Sequence, residues 1–308
     1  MRNLIYFIGL LLLNVVAIDV QSQNIGVVYI QGDVKVSNIK DSKKAMQNLT
    51  YGTLTLDKQL TLSKNAMVKL IKSNGEKCEL TIPGVYSVKD LKFIKPVEKS
   101  AMTRFSEYFM SFFESHPSSE SKAQYQNSIY AISRGKINTP IPVFPFEGKT
   151  PLVNNALTFR WDIDCDTCIY ELVIKDLLSR KEVLRQIIQG KSFAMEAADK
   201  ILSIGGKYYW FVKVANQNTI STNIIIDLVS QQDFESELKG IESGMAGVDS
   251  DLPLESKMVY TISELESKDL TNYAYLYGKD FVQKNQQNKS LNELFEQFFY
   301  SKLNSTEK

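Results

Sequence analysis

TFRWDIDCDTCIYELVIKD, residues 158–176, sets two cysteines three positions apart between two alternating runs. Before the cysteines, Leu157, Phe159 and Trp161 share one face, with Thr158 and Arg160 on the other. After them, Tyr170, Leu172 and Ile174 repeat the alternation. A period of two is that of a strand with one buried face, so the segment reads as strand, turn, strand. That reading decides what Cys165 and Cys168 are for. A redox C-x-x-C sits where a strand gives way to a helix, whose N-terminus lowers the thiol pKa. Here both flanks are strands, and Asp164 and Asp166 disfavour a thiolate. Zinc needs four ligands, and only Cys78 and His116 remain. In an oxidising compartment a Cys165–Cys168 disulfide across the turn is the leading expectation, with reduced thiols as the alternative. Closing so small a ring contributes at most about 2 kcal/mol.

Acidic residues crowd the same turn. Asp162, Asp164 and Asp166 resemble the opening of a calcium loop, which also wants Gly at its sixth and Glu at its twelfth position. Thr167 and Val173 stand there instead. A helical calcium loop is excluded, and the three acids are left as weak calcium candidates on a β-module turn. No metal or other cofactor is expected.

Further strands follow outward from this segment. EVLRQIIQ (182–189) and SFAM (192–195) are weaker, GGKYYWFVKVANQN (205–218) puts Tyr208, Trp210, Val212 and Val214 on one side, and ISTNIIID (220–227) closes the set. Upstream, IPVFPFEGKTP (141–151) carries three prolines, too many for a central strand. The F-x-W strand and the Y-x-W-x-V-x-A strand resemble those of a fibronectin type III or immunoglobulin-like module. The resemblance covers about residues 150–228 of a domain placed at 141–230. It implies a two-sheet sandwich with Trp161 and Trp210 as structural core anchors between the sheets.

Residues 23–95 are also rich in short strands. IGVVYI, DVKV, GTLTL, QLTLS, AMVKLI, KCELTI and YSV are separated by turn residues, among them Asn74-Gly75 and Pro83-Gly84. The run GVVYIQGDVKV, then LTYGTLTLDKQLTLSKNAMVKLIKSNGEKCELTIPGVYSV, resembles a FecR-type domain of bacterial envelope proteins. That resemblance implies a small, non-catalytic, extracytoplasmic β domain. Residues 96–140 then change period. In VEKSAMTRFSEYFMSFFES the apolar positions recur every three or four residues, predicting an amphipathic helix that packs across the neighbouring β domain. HPSSESKAQ reads as a linker in which His116, the single histidine, is exposed and without partners.

Residues 231–308 are predicted helical: DFESELKGIESG, then Leu254–Glu266, Leu270–Lys284 and Ser290–Leu303. Ser290 with Glu293 three later predicts a capping box for the last of these. The helix, break, helix pattern resembles a degenerate tetratricopeptide-type hairpin, which a single repeat cannot stabilise alone. It therefore caps the β module or adds to a partner. Tyr273, Tyr275, Tyr277, Phe295, Phe298, Phe299 and Tyr300 are the interaction candidates. The overall fold class is mainly β: a small FecR-like β domain plus a fibronectin type III-like β-sandwich, with a linking aromatic helix and a C-terminal helical hairpin or bundle.

Residues 1–22 read as a secretory signal peptide, with Arg2 before an apolar run at 4–18 and a cleavage pattern at Val20-Gln21-Ser22. Over 308 residues, 36 basic and 35 acidic side chains give a net charge of +1, with no basic stripe for nucleic acid. No phosphate loop, zinc-protease helix or serine elbow occurs. The sequence thus points to a non-catalytic, exported scaffold or accessory subunit in the periplasm or at the surface of a bacterium. It would act by protein–protein contact with another envelope protein or complex and keep no transmembrane segment in the mature chain. The alternative is a carbohydrate- or cell-wall-binding protein whose partner is glycan or peptidoglycan.

Overall fold

The computed structural model describes residues 24–39, 46–95, 99–116, 125, 139–163, 165, 167–245 and 252–305. The signal-peptide expectation for residues 1–22 lies outside them. The chain divides into two compact units, Met1–Pro96 and Val97–Lys308.

In the first unit, eight strands among the described residues form two antiparallel sheets. They are β1 (Ile25–Gln31), β2 (Val34–Asn38), β3 (Gln47–Asn48), β4 (Gly52–Leu54), β5 (Lys58–Leu62), β6 (Met67–Lys72), β7 (Lys77–Leu80) and β8 (Gly84–Ser87). One sheet runs β4-β1-β6-β7, the other β3-β2-β5-β8. A single core draws Ile25, Val27 and Leu70 from the first sheet and Val34, Leu60 and Leu62 from the second. Asn74-Gly75 turns the β6–β7 hairpin: Gly75 takes a φ of 81°, and its N–H donates to the Lys72 carbonyl at 2.9 Å. Gly32, at φ 74°, is held by a close approach as well, because a Cβ there would stand 3.0 Å from Ala66 Cα. Cys78 points into this core, and burial pushes its thiol pKa up, which leaves it a poor nucleophile.

In the second unit, β9 (Ile141–Phe144), β11 (Leu157–Asp162) and β14 (Ser192–Met195) make a three-stranded sheet in the order β14-β11-β9. The facing sheet has the order β10-β16-β15-β12-β13, from β10 (Gly148–Pro151), β12 (Ile169–Asp176), β13 (Glu182–Gln189), β15 (Lys207–Val214) and β16 (Ile224–Val229). β10 pairs parallel to β16, so the chain switches sheets between β9 and β10. The three prolines of 141–151 fall on or between these two edge strands, where a missing N–H breaks no ladder. The core between the sheets holds Phe159, Trp161, Tyr170, Leu172, Trp210 and Val212. Phe159 meets Trp210 edge-on at 5.2 Å, and Trp161 meets Tyr170 at 5.6 Å.

Among the described residues this unit also holds the helices α1 (Lys99–Ser115), α2 (Gln231–Gly244), α3 (Leu254–Ser267), α4 (Thr271–Lys284) and α5 (Lys289–Ser305). The amphipathic helix expected to pack across the first β domain instead belongs to this group. Phe105 and Tyr108 of α1 lie 5.8 and 5.6 Å from the Tyr260 ring of α3. An aromatic stripe gains most where facing helices are aromatic too, and α3 supplies that face. His116 is also corrected, being 1% exposed rather than free. It continues the α1 stripe one turn past Phe112, whose carbonyl lies 2.7 Å from its Nδ1. Its Nε2 stands 3.1 Å from Glu266 of α3, and Gln297 of α5 donates to its carbonyl.

The predicted cap of the last helix moves as well. α5 begins at Lys289, and Asn288 accepts from Leu291 N–H at 3.3 Å. Glu293 pairs with Lys289 at 3.4 Å instead of reaching back to a serine. A reciprocal capping box occurs at Ser230 and Asp233, at the start of α2.

Candidate functional site

The turn between β11 and β12 closes through a bond from Cys165 to Cys168, with Cα atoms 5.7 Å apart. Tyr170 donates from its hydroxyl to the Cys165 carbonyl at 2.9 Å, which ties the turn to the first core residue of β12. Of the three calcium candidates, Asp164 and Asp166 lie outside the described residues. Asp162 accepts from Ile163 N–H at 2.8 Å and faces Lys191 at 3.6 Å, where a cation already sits beside it. Among the described residues no group of three or more acids, histidines or cysteines is arranged to hold a metal. Trp161 and Trp210 lie in the sandwich core, 2% and 0% exposed.

The aromatic tail divides. Tyr273, Tyr275 and Phe298 are buried at 3%, 2% and 0% exposure, which removes them from any interaction surface. The physical reason is that the helices cover the outer face of the three-stranded sheet. Phe144 and Arg160 are register partners on that face, and Tyr275 of α4 packs 4.4 Å from the Phe144 ring. Tyr275 also accepts a 2.8 Å hydrogen bond from Arg160 Nη1. One polar side chain fastens this contact. Asn272 accepts from Phe146 N–H at 2.7 Å and donates to Phe146 O, Lys149 O and Thr150 Oγ1 at 2.9, 3.2 and 2.9 Å. Tyr273 instead packs edge-on against Phe234 of α2 at 4.9 Å.

Tyr277, Phe295, Phe299 and Tyr300 are half-buried. Burial pushes the Tyr277 phenol up to about 12, so it stays protonated. Phe299 and Tyr300 form one wall of a cleft of about 290 Å³ between α5 and the sandwich, opposite Arg160, Asp162, Lys191 and Ser192. The Arg160 guanidinium lies 5.9 Å from the Phe299 ring centroid. A second, more open hollow on the far side of the same two rings is lined by Lys279, Phe295 and Glu296. Lys279 is exposed overall but its amine end packs into this hollow. Packing around its amine, then the charge of Arg160, hold its pKa below the ordinary lysine value, an effect its exposure keeps modest.

The outer face of the five-stranded sheet is different. Val173 and Phe211 lie at its centre but are buried, at 0% and 8% exposure, and half-buried Tyr209 stacks on Phe211 at 6.3 Å. Lys175 and Lys213 flank Phe211, each 5.8 Å from the ring centroid. Toward the edge strand β13, Arg185 bridges Glu171 and Glu182 at 2.6 Å each. Ile169 and Ile187, 49% and 65% exposed, extend the apolar surface on this side. Sequence reasoning passed over this face, although alternation had already assigned Ile169 and Glu171 to the side opposite Tyr170.

Strand order and core define an immunoglobulin- or fibronectin-like β-sandwich with helices docked on one sheet. No family model matches the chain, and no curated protein matches it. Among solved structures, it is similar to the PKD domain of human KIAA0319, at 14% identity over 30% of this chain and 84% of that one, TM-score 0.21. It is also similar to the FN1–FN3 domains of chicken CNTN1, at 7% identity over 68% of this chain and 58% of that one, TM-score 0.23. A third is the extracellular domain of a hybrid two component system from B. thetaiotaomicron, at 11% identity over 66% of this chain and 26% of that one, TM-score 0.23. The strand order, not these likenesses, carries the fold class. Among the described residues no helix is long and apolar enough to cross a membrane.

Proposed function

We propose that the protein is a non-catalytic, exported accessory subunit or scaffold of a bacterial cell envelope, in the periplasm or at the cell surface. It works by protein–protein contact. The FecR-like reading of residues 23–95 and the tetratricopeptide-like reading of the tail belong to this proposal and agree with an extracytoplasmic setting. One observation carries it: toward the β13 edge of the five-stranded sheet's outer face, Ile169 and Ile187 stand 49% and 65% exposed beside the charges of Arg185, Glu171 and Glu182. Interfaces are commonly built that way, with apolar anchors surrounded by polar groups that fix register.

A photo-crosslinking residue at Ile187, used in intact cells and read by mass spectrometry, tests the proposal. It should return a recurrent protein partner, and Ile187→Asp should weaken capture of that partner about tenfold or more. Retention of glycan or peptidoglycan with no protein crosslink would instead favour the cell-wall-binding alternative.

A further inference from the structure

The cleft between α5 and the sandwich holds a cation, Arg160, that no carboxylate among the described residues neutralises. Arg160 projects from the outer face of β11 and is half-buried. Among the described residues it has no ion-pair partner, and its contacts are Tyr275 Oη and the Phe299 ring. A guanidinium carries five N–H donors, so most of its fork has no acceptor among the described residues. Withdrawing a cation from water is unfavourable unless an anion or hydrogen bonds offset it. Two further features bear on the occupant. Among the described residues the lining holds Arg160, Lys191 and Asp162, two cations and one carboxylate, which leaves one surplus positive charge among them. The opposite wall is aromatic, from Phe299, Tyr300 and the Tyr125 ring 5.6 Å from Tyr300.

We propose that this cleft binds a small carboxylate-bearing ligand, with Arg160 receiving the carboxylate and the Phe299–Tyr300 wall receiving a flat or apolar body. The single surplus charge matches a monoanion, and a phosphate dianion would meet Asp162. A planar fork opposite a carboxylate is the pairing that guanidinium geometry favours. The volume of about 290 Å³ admits a body the size of one sugar ring or one aromatic ring. An acidic sugar and a small aromatic acid share this chemistry. An anion at Arg160 would also relieve the repulsion between Arg160 and Lys279 across the two rings. The cleft lies on the three-stranded sheet, so this site does not depend on the protein-contact reading of the other sheet.

Calorimetric titration of the full mature chain with glucuronate, glucose, benzoate and benzyl alcohol tests it. One or both acids should bind saturably at millimolar concentration or below, with the neutral counterpart at least about tenfold weaker. Glucuronate alone identifies a sugar acid as the occupant, benzoate alone an aromatic acid, and either supports the site. Arg160→Gln and Lys191→Glu should each weaken binding about tenfold or more. Lys191 is 38% exposed between two strands, so Lys191→Glu keeps the fold and decides the matter even if Arg160→Gln does not fold. No saturable binding of either acid, equal binding of the neutral counterparts, or unchanged binding in a folded Lys191→Glu variant would overturn the proposal.

Discussion

Replacing Asn272 by alanine should destabilise the second unit far more than its position on a helix suggests. The side chain is 1% exposed and makes four hydrogen bonds, to Phe146 N and O, Lys149 O and Thr150 Oγ1. Alanine leaves the Phe146 N–H buried without that acceptor, a loss of about 1–3 kcal/mol. The acceptor oxygens lose a shared donor and add roughly another 1–2 kcal/mol. The sum, about 2–5 kcal/mol, is a large part of a typical stability of about 5–15 kcal/mol. With a urea slope of roughly 2–3 kcal/mol per molar, the unfolding midpoint should fall by roughly 0.7–2.5 M at unchanged slope. Asn272→Asp sharpens the test. It keeps the acceptor for Phe146 N–H but turns a charge toward three oxygen acceptors, so its folded-state pKa must lie above the unfolded value of about 3.9. Stability of that variant should be highest below about pH 4 and fall as pH rises through the folded pKa. A midpoint drop below about 0.5 M for alanine, or an aspartate variant indifferent to pH, would refute the account of Asn272 as the fastening between α4 and the sandwich.

The remaining predictions concern charge and covalent closure. Burial raises the Glu266 carboxyl pKa, but His116 and Lys302 outweigh it and hold the carboxyl below its ordinary value of 4.5. Its contribution is therefore fully present above about pH 4.5 and lost as pH falls through the lower folded pKa, so Glu266→Gln should flatten the acid limb of a stability–pH curve followed by circular dichroism. The double change Cys165→Ser with Cys168→Ser should lower unfolding stability by about 2 kcal/mol or less while leaving the near-ultraviolet signal of the core tryptophans in place. Loss of that signal would show that the turn organises the core instead of closing it.

Elements whose partners lie close along the chain were open to sequence reading. β11 shows an alternating buried and half-buried pattern because its inner face is filled by the neighbouring sheet, and alternation registers that directly. His116 was misread because its polar flank suggested a linker, while its partners Glu266 and Gln297 arrive from distant helices. One signal could have found it. Phe105, Phe109, Phe112 and His116 keep a helical spacing of three or four, so the stripe runs through the histidine. Asn272 gave no such signal, since an amide on a helix looks the same whether it faces water or an edge strand 122 or more residues away. The tail aromatics were ambiguous for a related reason. Periodicity shows that a helix has an apolar face, but not whether that face meets its own chain or another.

The two outer faces of the sandwich resolve that ambiguity for this protein. Each sheet must present one face away from the core, and an apolar outer face left in water is a liability that chains remove by covering it. On the three-stranded sheet the chain supplies its own cover, with Tyr275 on Phe144 and Asn272 on the crossover between β9 and β10. The five-stranded sheet keeps Ile169 and Ile187 exposed beside an aromatic and charged centre. Had the tail been the contact surface, its largest rings would lie outward, yet Tyr273, Tyr275 and Phe298 are spent on internal packing. The helices therefore act as an internal cover, and on the other sheet the large apolar side chains still exposed beside the charged rim are Ile169 and Ile187. A partner gains hydrophobic contact there without first displacing any of the described residues, which is why the protein-contact reading rests on β12 and β13.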